Sequence, residues 1–203
     1  MIEKLKKEKI VAIFRKVPFE ELLPQVDLLI ENGITIMEVT LDSPSALNSL
    51  YELKKRYGKD IHLGAGTVMK AEDVARVNDI GAEFIISPHV DIEVIQATKE
   101  LGLTSIPGAF TPTEIATAYQ HGADMIKIFP ASTLGAEYVK NLKGPFSSIP
   151  FMATGGINEH NAKEFLESGY TSLGVGSSLT SIGDGDLVAF KHKVEAFTSL
   201  QVK

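Results

Sequence analysis

Lys127 stands in the middle of an apolar run, Met125-Ile126-Lys127-Ile128-Phe129-Pro130. Bounded by His121-Gly122-Ala123-Asp124 and by Pro130, the run reads as a buried parallel strand, where an ammonium group is costly unless something uses it. Desolvation lowers the pKa of a lysine, and the neutral amine is a nucleophile that forms Schiff bases with ketones and aldehydes. The chemistry suggested is covalent catalysis on a carbonyl; the alternative is a strand-end lysine that extends its ammonium to water. Two further charges occupy comparable places. In Ile34-Thr35-Ile36-Met37-Glu38-Val39-Thr40, strand alternation puts Glu38 on one face with Ile34, Ile36 and Thr40, and Arg15 ends the run Val11-Ala12-Ile13-Phe14. A carboxylate, an amine and a guanidinium at the ends of three strands make either a catalytic set or a structural ion-pair triad.

Two glycine-rich turns near the C-terminus carry the next signal: Met152-Ala153-Thr154-Gly155-Gly156-Ile157 and Leu173-Gly174-Val175-Gly176-Ser177-Ser178-Leu179. Backbone amides in such turns approach a phosphate closely because no Cβ intervenes, so a phosphorylated ligand is expected, against the plainer reading that turns need glycine. Gly64-Ala65-Gly66-Thr67 leaves room for a ligand carboxylate and offers it a hydroxyl, or else makes a tight turn with Thr67 as a helix cap. Ser87-Pro88 and Pro107-Gly108 close two other strands and read as geometry rather than chemistry.

The elements that must position these groups repeat along the chain. Apolar runs at Ile10–Phe14, Ile34–Val39, Ile61–Ala65, Phe84–Ser87, Leu103–Pro107, Met125–Phe129, Pro150–Ala153 and Ser172–Val175 give eight strand candidates. Segments of helical spacing lie between them, as in Phe19–Glu31 and Asp91–Leu101. Gly33, Gly81, Gly102, Gly122 and Gly169 follow helices where a left-handed cap is wanted. Eight strand–helix units predict an α/β fold, a single (β/α)8 barrel domain over residues 1–203, although pattern alone also admits an open doubly wound sheet. In a barrel, Met125, Lys127 and Phe129 face the interior while Ile126 and Ile128 pack under helices. The active site then forms at the C-terminal ends of the strands, followed by a phosphate site at the last two turns.

Composition excludes several classes. The 203 residues carry a formal charge of −6 with no basic stripe, which argues against nucleic acid. There is no cysteine, hence no disulfide or thiolate metal site, and the five histidines show no ligand spacing and read as loop or surface residues. The charged N-terminus leads directly into a short strand, so neither a secretion signal nor a membrane span is expected and the cytoplasm is the default.

Taken in order, Arg15 in Val-Ala-Ile-Phe-Arg, Glu38 in Glu-Val-Thr-Leu, Gly64-Ala-Gly-Thr-Val, Phe84-Ile-Ile-Ser-Pro, Ile106-Pro-Gly, Lys127-Ile-Phe-Pro and Thr154-Gly-Gly-Ile resemble the KDPG/KHG aldolases. The resemblance runs from about residue 8 to 200. It implies a (β/α)8 barrel assembled as a homotrimer, with no metal or organic cofactor. It also implies a class I aldolase that cleaves the phosphorylated 2-keto acid 2-keto-3-deoxy-6-phosphogluconate, or its galactonate epimer, to pyruvate and glyceraldehyde 3-phosphate, with 4-hydroxy-2-oxoglutarate as a further substrate. By that resemblance Lys127 is the Schiff-base lysine and Glu38 the general acid and base. Arg15 and Thr67 hold the keto-acid carboxylate, and Pro88 and Phe129 shape the pocket. Thr154, Gly155, Gly156, Gly176 and Ser177 cradle the phosphate.

Two positions depart from the family pattern. Asp42 stands where gluconate-type enzymes often carry arginine, and an aspartate there is not expected to meet substrate charge; Ala153 replaces a frequent proline with little expected effect. Leu41-Asp42-Ser43-Pro44 is similar to the galactonate type and Thr154 to the gluconate type, which leaves both epimers open. The competing readings are another phosphosugar barrel, an isomerase or synthase with the glycine turns but no Schiff base, and a non-catalytic sugar-phosphate binder. The pair Glu38 and Lys127 discriminates against both.

Overall fold

The computed structural model describes residues 1–182 and 186–200. Nine parallel strands form one sheet: β1 (Ile10–Phe14), β2 (Ile36–Thr40), β3 (His62–Gly66), β4 (Phe84–Ile86), β5 (Thr104–Ile106), β6 (Gly108–Ala109), β7 (Ile126–Ile128), β8 (Phe151–Thr154) and β9 (Ser172–Val175). Their order is β5-β4-β3-β2-β1-β9-β8-β7-β6. β5 and β6 are parted only by Pro107, whose nitrogen has no hydrogen to donate. On either side of that break the Ser105 carbonyl accepts from the Asp124 N–H at 3.0 Å and the Pro107 carbonyl from the Lys127 N–H at 2.9 Å. The ladder therefore continues across Pro107 and the ring closes. Nine strands fill eight barrel positions, and the single strand expected over Leu103–Pro107 is two short ones.

Helices separate the strands and cover the barrel: α2 (Phe19–Glu31), α3 (Ala46–Tyr57), α4 (Ala71–Ile80), α5 (Ile92–Glu100), α6 (Pro112–Gln120), the short α7 (Ala131–Leu134) and α8 (Tyr138–Leu142), α9 (Ala162–Ser168), the short α10 (Ser177–Thr180) and α11 (Leu187–Thr198). Local chemistry sets their ends. The Asp91 side chain accepts from the Val94 N–H at the start of α5, and Thr111 with Glu114 forms a capping box ahead of Pro112 in α6. The five glycines expected to cap helices all take φ between 73° and 110°.

Two apolar layers follow from strand alternation. Val11, Ile36, Phe84, Ile86, Ile106, Met125 and Met152 pack together inside the barrel, and Ala12, Phe14, Met37, Val39, Ile126 and Ile128 pack outside against the helices. The inward and outward faces expected for β2 and β7 hold, except that Ile34 precedes β2 and joins the outer layer.

The N-terminus is not a simple charged leader. It forms α1 (Ile2–Glu8), whose Leu5 is fully buried in the inner layer and closes the N-terminal end of the barrel. Burying such a side chain stabilises by roughly 1.5–3 kcal/mol. The Glu8 carboxylate fixes α1 by accepting from the Thr35 N–H at 3.1 Å and its hydroxyl at 2.9 Å. Lys4 Nζ lies 2.5 Å from His62 Nε2, and His62 Nδ1 lies 2.7 Å from Glu83 Oε2. His62, expected at the surface, thus begins β3 as a half-buried link. Among the described residues no helix is long and apolar enough to cross a membrane.

Candidate active site

A cavity of about 510 Å³ opens at the C-terminal ends of the strands. Arg15, Glu38, Thr67, Lys127, Phe129, Thr154, Gly155, Gly156, Gly176 and Ser177 all line it. Residues from β1, β2, β3, β7, β8 and β9, or from the turns just after them, thus meet at one mouth. Pro88 is the exception and does not line the cavity. Its carbonyl is packed against Gly108, where a Cβ would collide with it, so this turn is used to bring β4 and β6 together.

Glu38 projects inward from β2 and is 1% exposed. Its carboxyl lies over Gly66, where any Cβ would occupy the position of Oε1, and Oε2 has no hydrogen-bond partner among the described residues. Gly64, two residues earlier, gives its space to the Phe84 ring. The room expected here for a ligand is therefore filled by Glu38 and Phe84. Burial pushes the Glu38 carboxyl up from 4.5 to about 7, with Lys127 and then Arg15 pulling it back and Asp42 adding a small further rise. Such a carboxyl changes charge near neutral pH.

Lys127, 6% exposed, projects inward from β7 and holds Nζ 4.6 Å from the centre of the Phe129 ring. Burial lowers its pKa, the neighbouring Glu38 opposes that shift, and Arg15 reinforces it. Each acts on the other's titration, yet among the described residues the two make no direct ion pair.

Arg15 and Thr67 meet at the rim. The Arg15 Nη2 donates to Thr67 Oγ1 at 3.0 Å, and Thr67 adopts a left-handed φ of 55°. Thr67 does not cap a helix, since α4 begins after Lys70. The far side of the guanidinium is held by Asp42, whose carboxylate lies 3.6 Å from Arg15 Nε. Position 42 therefore reaches the site through Arg15, a role its departure from the family pattern did not reveal.

The glycine turns are tied to each other and to the barrel. The Ser132 N–H donates to the Gly155 carbonyl at 3.0 Å, Asn161 Nδ2 to the Gly156 carbonyl at 2.8 Å, and Ser178 Oγ to the Ile157 carbonyl at 2.5 Å. A Cβ on Gly156 would collide with Ser132 Oγ, and one on Gly174 with Thr154 Oγ1. Gly176 differs: a Cβ there would meet none of the described residues within 4 Å. The described residues leave the space beside Gly176 open, whereas Gly156 and Gly174 are demanded by packing. The Thr154 hydroxyl is buried without a partner among the described residues.

The cavity also takes in Lys16, Glu21, Asn158, Ser178 and Ser181, which the sequence alone did not single out. Among the described residues no group of three histidines or carboxylates is arranged to hold a metal ion.

The sequence pattern of the family described as KDPG and KHG aldolase matches residues 1–191. The chain belongs to that family. It is thus an aldolase, a carbon–carbon lyase of the Schiff-base class. It is 35% identical over 175 residues to the 2-dehydro-3-deoxy-6-phosphogalactonate aldolase of Escherichia coli K12, covering 86% of this chain and 85% of that one. It is 32% identical over 167 residues to the 2-dehydro-3-deoxy-phosphogluconate aldolase of Haemophilus influenzae, covering 82% and 78%. Among solved structures, the KDPG aldolase from Legionella pneumophila, with pyruvate captured at low pH as a covalent carbinolamine intermediate, superposes with a TM-score of 0.84 at 27% identity over 99% of this chain and 96% of that one. Family membership accounts for a barrel whose mouth combines an amine, a carboxyl and glycine turns.

Proposed function

We propose that this aldolase cleaves 2-keto-3-deoxy-6-phosphogluconate, its galactonate epimer, or both, to pyruvate and glyceraldehyde 3-phosphate, and that 4-hydroxy-2-oxoglutarate is a further substrate. The observation that carries the reading is the buried Lys127, which makes no ion pair among the described residues, projecting into the same cavity as the buried Glu38, whose pKa burial raises to about 7.

Lys127, its pKa lowered, attacks the C2 ketone as a neutral amine. Glu38 supplies the proton on which water leaves the carbinolamine, giving an iminium on Lys127. The carboxylate so formed takes the proton of the C4 hydroxyl, directly or through a water. As the C4 carbonyl forms, the C3–C4 bond breaks and its electron pair enters the iminium, which becomes an enamine while glyceraldehyde 3-phosphate departs. Protonation at C3 and hydrolysis release pyruvate and return the free amine. One group serves as acid and then base because its pKa lies near working pH.

Arg15 and Thr67 hold the keto-acid carboxylate, with Asp42 fixing the guanidinium from behind. Phe129 packs under the amine. Gly155, Gly156, Gly176 and Ser177 take the phosphate; the space that the described residues leave beside Gly176, and the Thr154 hydroxyl, which finds no partner among them, support a ligand there. Pro88 has no part in binding on this reading. We place the protein in the cytoplasm as a homotrimer, a state for which exposed Met69, Ile92 and Phe110 offer apolar surface; light scattering coupled to size-exclusion chromatography reads its mass directly.

The test is pyruvate release from each C4 epimer, coupled to NADH oxidation by lactate dehydrogenase. Release from at least one epimer is expected, and the ratio of the two kcat/KM values assigns the preference. Release from neither contradicts the substrate assignment.

A further inference from the structure

We propose that Lys16 is a specificity-determining residue that recognises the distal phosphate, and that Ser43 positions it; the proposal deepens the substrate reading above and rests on it. Lys16 follows Arg15 at the mouth and lines the same cavity as Gly155, Gly156, Gly176 and Ser177. Its φ is 56°, a left-handed conformation unfavourable for a residue with a Cβ. Such strain persists where the surroundings over-determine it, and it collects at binding sites.

The surroundings here are specific. The Lys16 N–H donates to Ser43 Oγ at 2.8 Å, and that hydroxyl lies 3.0 Å from Thr40 Oγ1. The segment after β2 thus pins the turn after β1. The pinned turn sends two successive cations to different tasks. Arg15 engages Thr67 and Asp42, whereas Lys16 makes no ion pair among the described residues and remains on the cavity wall.

Charge and topology together identify its ligand. The cavity is lined by the cations Arg15, Lys16 and Lys127 and by the carboxyls Glu21 and Glu38. Arg15 serves the carboxylate end and Lys127 the carbonyl. The glycine turns present dipoles to a phosphate dianion but carry no formal charge, and Glu21 on the same rim repels it. Lys16 is the cation left to offset both. β1 pairs with β9, with Ala12 beside Val175, so the turn that carries Lys16 neighbours the one that carries Gly176 and Ser177. An ammonium on a flexible stem is well suited to a phosphate at that position.

The test measures aldol addition of pyruvate to D-glyceraldehyde 3-phosphate and to unphosphorylated D-glyceraldehyde. Lys16→Met keeps the apolar stem and removes the charge. The preference for the phosphorylated acceptor is expected to fall about tenfold or more, the loss entering through KM rather than kcat. Lys16→Arg restores most of the preference, and Ser43→Ala gives a smaller fall of the same kind. Equal losses for both acceptors, or an unchanged preference in Lys16→Met, would overturn the assignment. Borohydride trapping of pyruvate, which needs no phosphate, is run on the same samples. Trapping with an unchanged preference defeats the Lys16 proposal alone; absence of trapping and of turnover in the unmodified protein defeats the aldolase reading and the proposal with it.

Discussion

At the N-terminal end of the barrel the inward side chains are Leu5, Val11, Ile36, Met125 and Met152; one pleat further along the same strands they are Ile13, Glu38, Lys127 and Thr154. About 7 Å, two residues of a strand, separates an apolar floor from a reactive mouth. Leu5 of α1 is fully buried in the floor, whereas the mouth leads into a cavity of about 510 Å³. The comparison shows what the lower half does for the upper. Water is kept from Glu38 and Lys127 on the floor side, and burial is the largest cause of both their pKa shifts. The core of this barrel is thus part of how its acid and amine are tuned.

Substitutions can separate the two halves. Lys127→Ala is expected to abolish pyruvate formation while the protein stays folded, because the change removes a desolvated amine rather than a core contact; circular dichroism and the coupled assay read both. Glu38→Gln lowers kcat by about 10²–10⁴-fold while some imine formation remains. It also reports on burial. Below pH 4.5 the Glu38 carboxyl is protonated in folded and unfolded chains alike, and its ionisation costs nothing. As pH rises towards 7 the unfolded chain ionises first, and the parent loses stability that the glutamine variant keeps. The gain of Glu38→Gln in urea unfolding should grow between pH 4.5 and 7 and level off above, at a size on the order of 3 kcal/mol.

Leu5→Ala attacks the floor from outside the mouth. A loss of about 2–5 kcal/mol of stability is expected. If the floor also sets the dryness of the site, the acid limb of the pH–rate profile moves down with it, since water near Glu38 favours its charged form. Asp42→Asn has the smallest expected effect. Asp42 raises the Glu38 pKa, so its neutralisation shifts the acid limb to lower pH by less than about one unit. An upward shift would contradict the charge arrangement at the rim.

Strand alternation made much of this readable in the sequence. Parity put Lys127 on one face with Met125 and Phe129 and Glu38 on one face with Ile36 and Thr40, and the barrel makes both faces inward. The glycine turns were equally legible, although sequence could not tell Gly176, where a Cβ would meet none of the described residues, from Gly156 and Gly174, which packing demands. What stayed hidden depends on contacts between distant segments. α1 carries one inward leucine among charged residues, too faint a pattern to announce a plug. Pro107 splits a strand without interrupting the ring, because carbonyls before and after it still accept from the neighbour. Asp42 and Lys16 gain their places from Arg15 and Ser43, on other loops, and the Pro88 carbonyl packs against Gly108, as the geometric reading of Ser87-Pro88 has it.

The central claim is that the desolvated amine on β7 is the nucleophile. Incubation with pyruvate and sodium borohydride, followed by intact and peptide mass spectrometry, tests it most directly. The account predicts one reduced pyruvyl adduct per chain, on the peptide that contains Lys127, and none in Lys127→Ala. No adduct under conditions that trap a control aldolase, or an adduct on another lysine, would contradict it.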